Sequence, residues 1–296
     1  MGEGRGMTTT KQKTKKRLVS VLAAALALFA FTERAEAQQI LLTGPLAGAP
    51  AVRKLRWHRK GRFEVDPAIS FTLLDEYQRT ILIGARLNYN ITDWLGIGAW
   101  GAFGAVKIPT HLSDQIQEVN SSRRQLDPDP PDTLSRQLTA GNLGPDFKKQ
   151  LGSMDWTVAP QLTAVPFRGK LALFQSIYLD TDLYFFGGPA FVGIKERKNC
   201  EECTSAESFA MQSRVAIAPT FGLGFTFYIN KWSALGFEWR GLPFAWNTSG
   251  FDTAGGGKDK KFPDNKITND DRQFNFNQML TVSYNVYLPF QYKVSE

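Results

Sequence analysis

The chain has 296 residues, a formal net charge of +7 and 43% hydrophobic residues, and no stretch reaches the roughly 18 apolar residues that a membrane-spanning helix needs. Much of the positive charge sits at the start. Residues 1–37 hold seven Lys/Arg and three Asp/Glu, so without them the net charge falls to +3, and the basic balance does not imply a nucleic-acid partner.

The first predicted element is an export signal. Lys11, Lys13, Lys15, Lys16 and Arg17 precede the apolar run from Leu18 to Phe31, and Ala35 and Ala37 form an A-x-A site in "AEAQQ". A basic region, a short apolar region and small residues together read as a secretory signal peptide, cut before Gln38. Residues 38–61 form a basic pre-barrel segment on the periplasmic side. Its end carries Arg53, Lys54, Arg56, Arg59, Lys60 and Arg62 within ten residues. Such a flank is expected either to touch anionic lipid or an acidic partner, or simply to be solvated.

From residue 62 to 290 the pattern is period-two alternation, so the fold class is all-β: an antiparallel transmembrane barrel of about eight strands. Side chains on a strand point to opposite faces. In "FGLGFTFYINKWSALGFEW", residues 221–239, the large apolar residues take the odd positions through a short Asn230-Lys231 break. The other face holds Gly, Ala, Thr and few charges. A soluble exterior should be dense in Lys and Glu, whereas a lipid-facing wall around a narrow lumen produces this pattern. The strands are expected at about 63–72, 80–90, 94–107, 154–166, 172–194, 212–229, 233–246 and 273–290. "NITDW", "FRGK" and "INKW" are short turns. The link 73–79 is intermediate, and 108–153, 195–209 and 247–272 are long. Short turns then fall on the periplasmic side and long loops outside. Tyr89, Trp94, Phe167, Tyr228, Trp232, Phe290 and Tyr292 form an inner aromatic girdle. Residues 291–296 are a tail.

The inward positions include Glu64, Asp66, Arg86, Asp180, Asp182, Glu238 and Arg240. Charges away from bulk water need partners, so an internal ion-pair network that stiffens the barrel is expected. An ion path is the alternative. Cys200 and Cys203 in "CEEC" suit a loop-tightening disulfide in an oxidising envelope. One C-x-x-C pair without a second pair or a nearby His is a poor zinc signal, and neither a metal nor a cofactor is expected. The long loop 108–153 is the expected contact surface, with the stiff acidic "DPDPPD" at 127–132 and short helices in "SDQIQEV" and "DTLSRQL". The loop 251–272 is expected to be mobile and solvated.

The layout, and the closing "YNVYLPF" with apolar residues at alternate positions, resemble outer-membrane β-barrel proteins. More narrowly, residues 62–290 look like the family of roughly eight-stranded barrels common in myxobacteria and related bacteria, some of which belong to the gliding-motility apparatus. The resemblance implies contact with outer-membrane lipid and lipopolysaccharide, insertion by the barrel-assembly machinery, and envelope protein partners. The function expected is a non-enzymatic anchor or scaffold, with a narrow porin as the alternative. His111, Ser113 and Asp114 at the loop start also resemble the lipid A deacylase barrels. There Ser113 would be the nucleophile and His111 the base, oriented by Asp114 or Glu118.

Overall fold

The computed structural model describes residues 59–126, 147–173, 177–200, 210–264 and 266–289. Eight antiparallel strands follow one another round a closed barrel. They are β1 (Phe63–Leu73), β2 (Gln78–Asn90), β3 (Leu95–Pro109), β4 (Ser153–Leu173), β5 (Ile177–Arg197), β6 (Met211–Tyr228), β7 (Ser233–Trp246) and β8 (Gln273–Leu288). Helix α1 (His111–Leu126) and the single turn α2 (Phe147–Gln150) lie between β3 and β4. β1 pairs with β8, from Phe63 opposite Leu288 to Leu73 opposite Gln278, which closes the ring without an exposed edge.

The alternation places the side chains as the period-two reading expects. In β1, Phe63, Ile69 and Phe71 are exposed, while Glu64, Asp66 and Ser70 are buried. Ile83, Leu87, Ile97, Phe103, Trp156, Val158, Leu162, Phe221, Phe237, Leu280 and Val282 continue the apolar outer wall. An apolar surface of this extent is not left to water by a soluble monomer. It is the wall of a transmembrane barrel. Trp94, Phe167 and Trp232 stand on it toward the short turns.

Two sequence expectations about the wall are corrected. "FRGK" is not a turn. β4 continues through it, with Arg168 opposite Asp182 and Lys170 opposite Asp180, and the connection falls at 174–176. The Arg168–Asp182 pair, 3.8 Å apart, favours the ladder by about 0.2–1 kcal/mol against the local Arg-Gly turn signal. Tyr228 does not join the outer girdle. It turns inward, and its hydroxyl donates to Asp182 at 2.7 Å. Phe290 and Tyr292 lie outside the described residues.

Candidate functional site

The lumen has two halves of opposite character. The half toward the short turns is charged. Glu64 accepts from Arg59 Nη2 at 2.6 Å, Arg86 Nη2 at 3.1 Å and Asn285 Nδ2 at 2.9 Å. Arg86 also donates to Asp66 at 2.6 Å and Glu238 at 3.1 Å. Arg59 reaches Asp182 at 3.3 Å. Tyr184, Tyr228 and Tyr287 close the set, donating to Glu238, Asp182 and Glu64. Tyr184 has room because a glycine faces it: a Cβ on Gly224 would collide with the Tyr184 ring. The lumen residues expected from alternation thus meet in one cluster, except Asp180, which is half-buried two residues before Asp182.

Arg59 is the member that sequence reading misplaced. The basic flank is expected in solvent, or against anionic lipid or an acidic partner. Lys60 is exposed, but Arg59 and Arg62 are buried at 2% and 5% exposure. Asp93 of the β2–β3 turn accepts from the backbone N–H of Arg59 at 2.8 Å and of Lys60 at 3.1 Å. That clip turns the incoming chain across the barrel mouth. The Arg59 guanidinium then drops among the carboxylates, and Arg62 lies over the Tyr287 ring at 5.2 Å. Buried charge demands a partner, and the Glu64 and Asp182 carboxylates of β1 and β5 supply it. Arg53, Lys54 and Arg56 lie outside the described residues.

Arg240 marks the boundary between the halves. It donates to Glu238 at 2.7 Å and to Gln161 at 2.9 Å, and its guanidinium lies 4.3 Å from the Trp100 ring centroid and 4.2 Å from that of Phe186. Beyond it the lumen is apolar. Leu82, Trp100, Met154, Val192, Ile194, Leu242, Phe244, Trp246 and Met279 pack with five alanines into one buried cluster. The sequence reading expects a narrow lumen crowded with small residues and stiffened by ion pairs, and does not single out an apolar half. Trp100 and Leu242 sit on the inward face, at 1% and 0% exposure, because an eight-stranded barrel is narrow enough for side chains to fill.

The long-loop end is covered as well. Phe147 of α2 is fully buried, stacks on Phe251 at 5.5 Å and meets Tyr77 edge-on at 5.9 Å. Arg197 donates to Gln150 Oε1 at 3.1 Å and to the Gly250 carbonyl at 2.9 Å. Glu196 accepts from Arg214 at 2.8 Å and Arg272 at 2.6 Å.

The β7–β8 link, expected at 251–272 to be mobile and solvated, is largely exposed and forms a lid held by hydrogen bonds around one buried residue. Asp271 is buried and accepts from the backbone N–H of Thr253 at 2.8 Å and of Thr268 at 2.6 Å. Thr268 and Asp271 form a capping box on the short turn 269–271. These bonds tie the two ends of a glycine-rich excursion together, and Gly255, Gly256 and Gly257 all take positive φ. Burial, with the neighbouring Asp252 carboxylate adding to it, pushes Asp271 up to about 6. Burial likewise pushes Asp75 in the β1–β2 link up to about 6. Beside the lid is a cleft of about 690 Å³ of mixed charge, lined by Asn199, Cys200, Lys258, Lys260, Lys261 and Lys266 together with Asp259, Asp264 and Asp270. Cys200 is disulfide-bonded; Cys203 lies outside the described residues. Among the described residues, Asp252, Asp259 and Asp264 form one carboxylate group with metal-ligand spacing, their oxygens within 4.8 Å of one another.

The hydrolase constellation does not assemble. The helix starts at His111, two residues before the stretch "SDQIQEV" in which a short helix is expected. Ser113 is fully buried and its hydroxyl donates to the Tyr77 carbonyl. His111 is exposed, and residues two apart on a helix do not face each other. Asp114 pairs with Lys148 at 2.7 Å. Glu118 is exposed on the same helix. "DPDPPD" and "DTLSRQL" lie outside the described residues.

No protein-family model and no curated protein matches the chain. Among solved structures, it is similar to the N-terminal β-barrel domain of Pseudomonas aeruginosa OprF at 7% identity and TM-score 0.40, over 79% of this chain and 100% of that one. It is similar to P. aeruginosa OprG at 10% identity and TM-score 0.37, over 78% and 97%. Ail of Yersinia pestis follows at 10% identity and TM-score 0.33, over 77% and 98%.

Proposed function

We propose that the chain is a bacterial outer-membrane anchor, a closed barrel that holds folded external loops at the cell surface and engages envelope partners through them. The observation that carries this reading is the filled lumen. A conducting pore needs a continuous polar path, and here an apolar plug around Trp100, Leu242 and Trp246 lies in series with a charge cluster whose members are hydrogen-bonded to one another. The apolar outer wall supports the membrane location. The export signal supports the outer membrane in particular, because barrels rather than helices are what that membrane takes up. The contact surface is the long-loop end: the lid over 251–272, the cleft beside it and helix α1. Membership of a motility or envelope complex rests on the resemblance of residues 62–290 to the myxobacterial-type barrels.

The test is planar-bilayer conductance of the refolded protein beside a variant lacking 112–150. Silence from both is the expected result. Steady current from the unaltered protein would make it a channel and would end the anchor reading.

A further inference from the structure

Four prolines lie in one row across the outer wall. Pro189 of β5 is opposite Pro219 of β6. The β4–β5 register, with Val158 opposite Phe191 and Leu162 opposite Gly187, places Pro160 opposite Pro189. The β6–β7 register, with Phe221 opposite Gly241, places Pro219 opposite Pro243 if it is continued by two residues. In an antiparallel ladder, opposed pairs alternate between those that exchange both N–H···O bonds and those that exchange none. Two prolines have no N–H to exchange. Pro189 and Pro219 therefore form a non-bonded pair, and each turns its backbone edge to its other neighbour. The pairs Pro160–Pro189 and Pro219–Pro243 then fall on bonded steps, and both lie within stretches where the ladder is interrupted.

At β4–β5 the ladder resumes on both sides of the gap. At β6–β7 it does not. Pairing runs from Tyr228 opposite Ala234 up to Phe221 opposite Gly241 and stops, although β6 continues to Met211 and β7 to Trp246. What joins the two strands higher up is a side chain: Arg214 Nη2 donates to the Ala245 carbonyl at 2.9 Å while its Nε holds Glu196. The flank of this seam is apolar and open, with Ile217 72% and Val215 52% exposed. Directly behind it stand Ala216, Ala218, Leu242, Phe244 and Trp246, the apolar half of the lumen.

We propose that the β6–β7 seam above Phe221 and Gly241 is a lateral gate, through which the hydrocarbon chain of an outer-leaflet lipid reaches the apolar half of the lumen. This rests on the membrane reading given above. Elsewhere in the wall, parting two strands in lipid exposes unpaired backbone groups at several kcal/mol each. At the seam no ladder bond has to break, the prolines carry no donor to strand, and a single guanidinium acts as the latch. Between Arg214 and Thr220 the outer face of the seam is apolar, with Val215, Ile217 and Pro219, and the cluster behind it is mainly hydrocarbon, so an acyl chain meets mostly like with like.

The experiment uses the full chain refolded into phosphatidylcholine vesicles, with insertion checked first by protease protection and heat-modifiable gel mobility. One buried alanine at a time is changed to cysteine: Ala218→Cys behind the seam, or Ala102→Cys in the same apolar half but behind the intact β2–β3–β4 ladder. Each is treated with a hexadecyl maleimide dissolved in the bilayer and, separately, with a charged water-soluble maleimide. The hexadecyl reagent is expected to modify Ala218→Cys at least tenfold faster than Ala102→Cys. In a Pro219→Val/Pro243→Val background, which restores the missing donors, that ratio should fall toward one. Equal rates, a ratio indifferent to the proline changes, or reaction with the charged reagent alone would overturn the gate. If the double variant does not fold, amide exchange on the unaltered protein decides. The amides that face the seam, Val215, Ile217 and Ala245, should exchange faster than Leu223, Phe225, Trp239 and Gly241, which face the paired part of the same ladder, and equal protection rejects the proposal. A chain that fails to insert at all refutes the membrane reading itself.

Discussion

Arg59 places its guanidinium 2.6 Å from the Glu64 carboxylate, inside a barrel whose first strand begins four residues later at Phe63. The residue belongs to the approach segment, yet both partners of the pair are almost fully buried. The Asp93 clip on its backbone explains how: the chain is bent across the mouth before the strand starts. The barrel is thus stoppered by its own leading residues at one end and by α2 and the lid at the other.

Arg59→Ala leaves Glu64 and Asp182 short of a positive partner in a buried site. Removing one member of a buried pair costs about 3–5 kcal/mol. The urea midpoint of the vesicle-inserted barrel should fall clearly, while Lys60→Ala, on an exposed neighbour, should leave it unmoved. A midpoint unchanged by Arg59→Ala would mean that the guanidinium contributes nothing to the folded state.

The apolar plug should govern conductance. Trp100→Ala alone is expected to destabilise by about 3–5 kcal/mol through lost burial and the cavity left behind. Combined with Phe244→Ala it should also admit water beside Arg240, and small cation or anion currents should appear in planar bilayers. Silence from a folded double variant would place the barrier elsewhere, in the charged half.

The lid should be sensitive to pH. The Asp271 carboxyl is held up to about 6, above its ordinary value of 3.8, because burial and the Asp252 carboxylate disfavour its ionised form. A raised carboxylate pKa means that the folded lid binds the proton more tightly than the open one. The stabilising effect is full below about pH 4 and is lost as pH rises through 6. Amide protection in 251–272, corrected for intrinsic exchange, should be greater at pH 5 than at pH 7.5. Asp271→Asn should flatten that difference; a difference that survives the change would point to another group.

Ser113 is a structural residue in this fold. Its hydroxyl holds the start of α1 to the β1–β2 link through the Tyr77 carbonyl. Ser113→Ala should cost about 1 kcal/mol, the net worth of one hydrogen bond, and should leave the mass spectrum of cellular lipid A unaltered. A changed lipid A profile would reopen the hydrolase reading.

Local periodicity was enough to establish eight strands and the face of nearly every residue on them. Period two is a property of the strand itself, so Phe63, Ile83, Leu162 and Phe237 go to the outer wall and Glu64, Arg86, Gln161 and Glu238 to the lumen whatever the neighbours are. The inward charges found one another for the same reason: they share a face and burial forces them together. Register and closure decided the rest, because they join residues far apart in the chain. Arg59 reads as a solvated flank until Asp93 is brought to it from a turn 34 residues away and Asp182 from a strand 123 residues away. "FRGK" reads as a turn until Asp182 lies opposite Arg168. The lid reads as a glycine-rich loop until the buried Asp271 gathers Thr253 and Thr268 around one carboxylate. Pro160, Pro189, Pro219 and Pro243 are ordinary interruptions in four separate strands. Only the stagger of those strands sets them in one row, and only the alternation of bonded and non-bonded pairs turns that row into a seam.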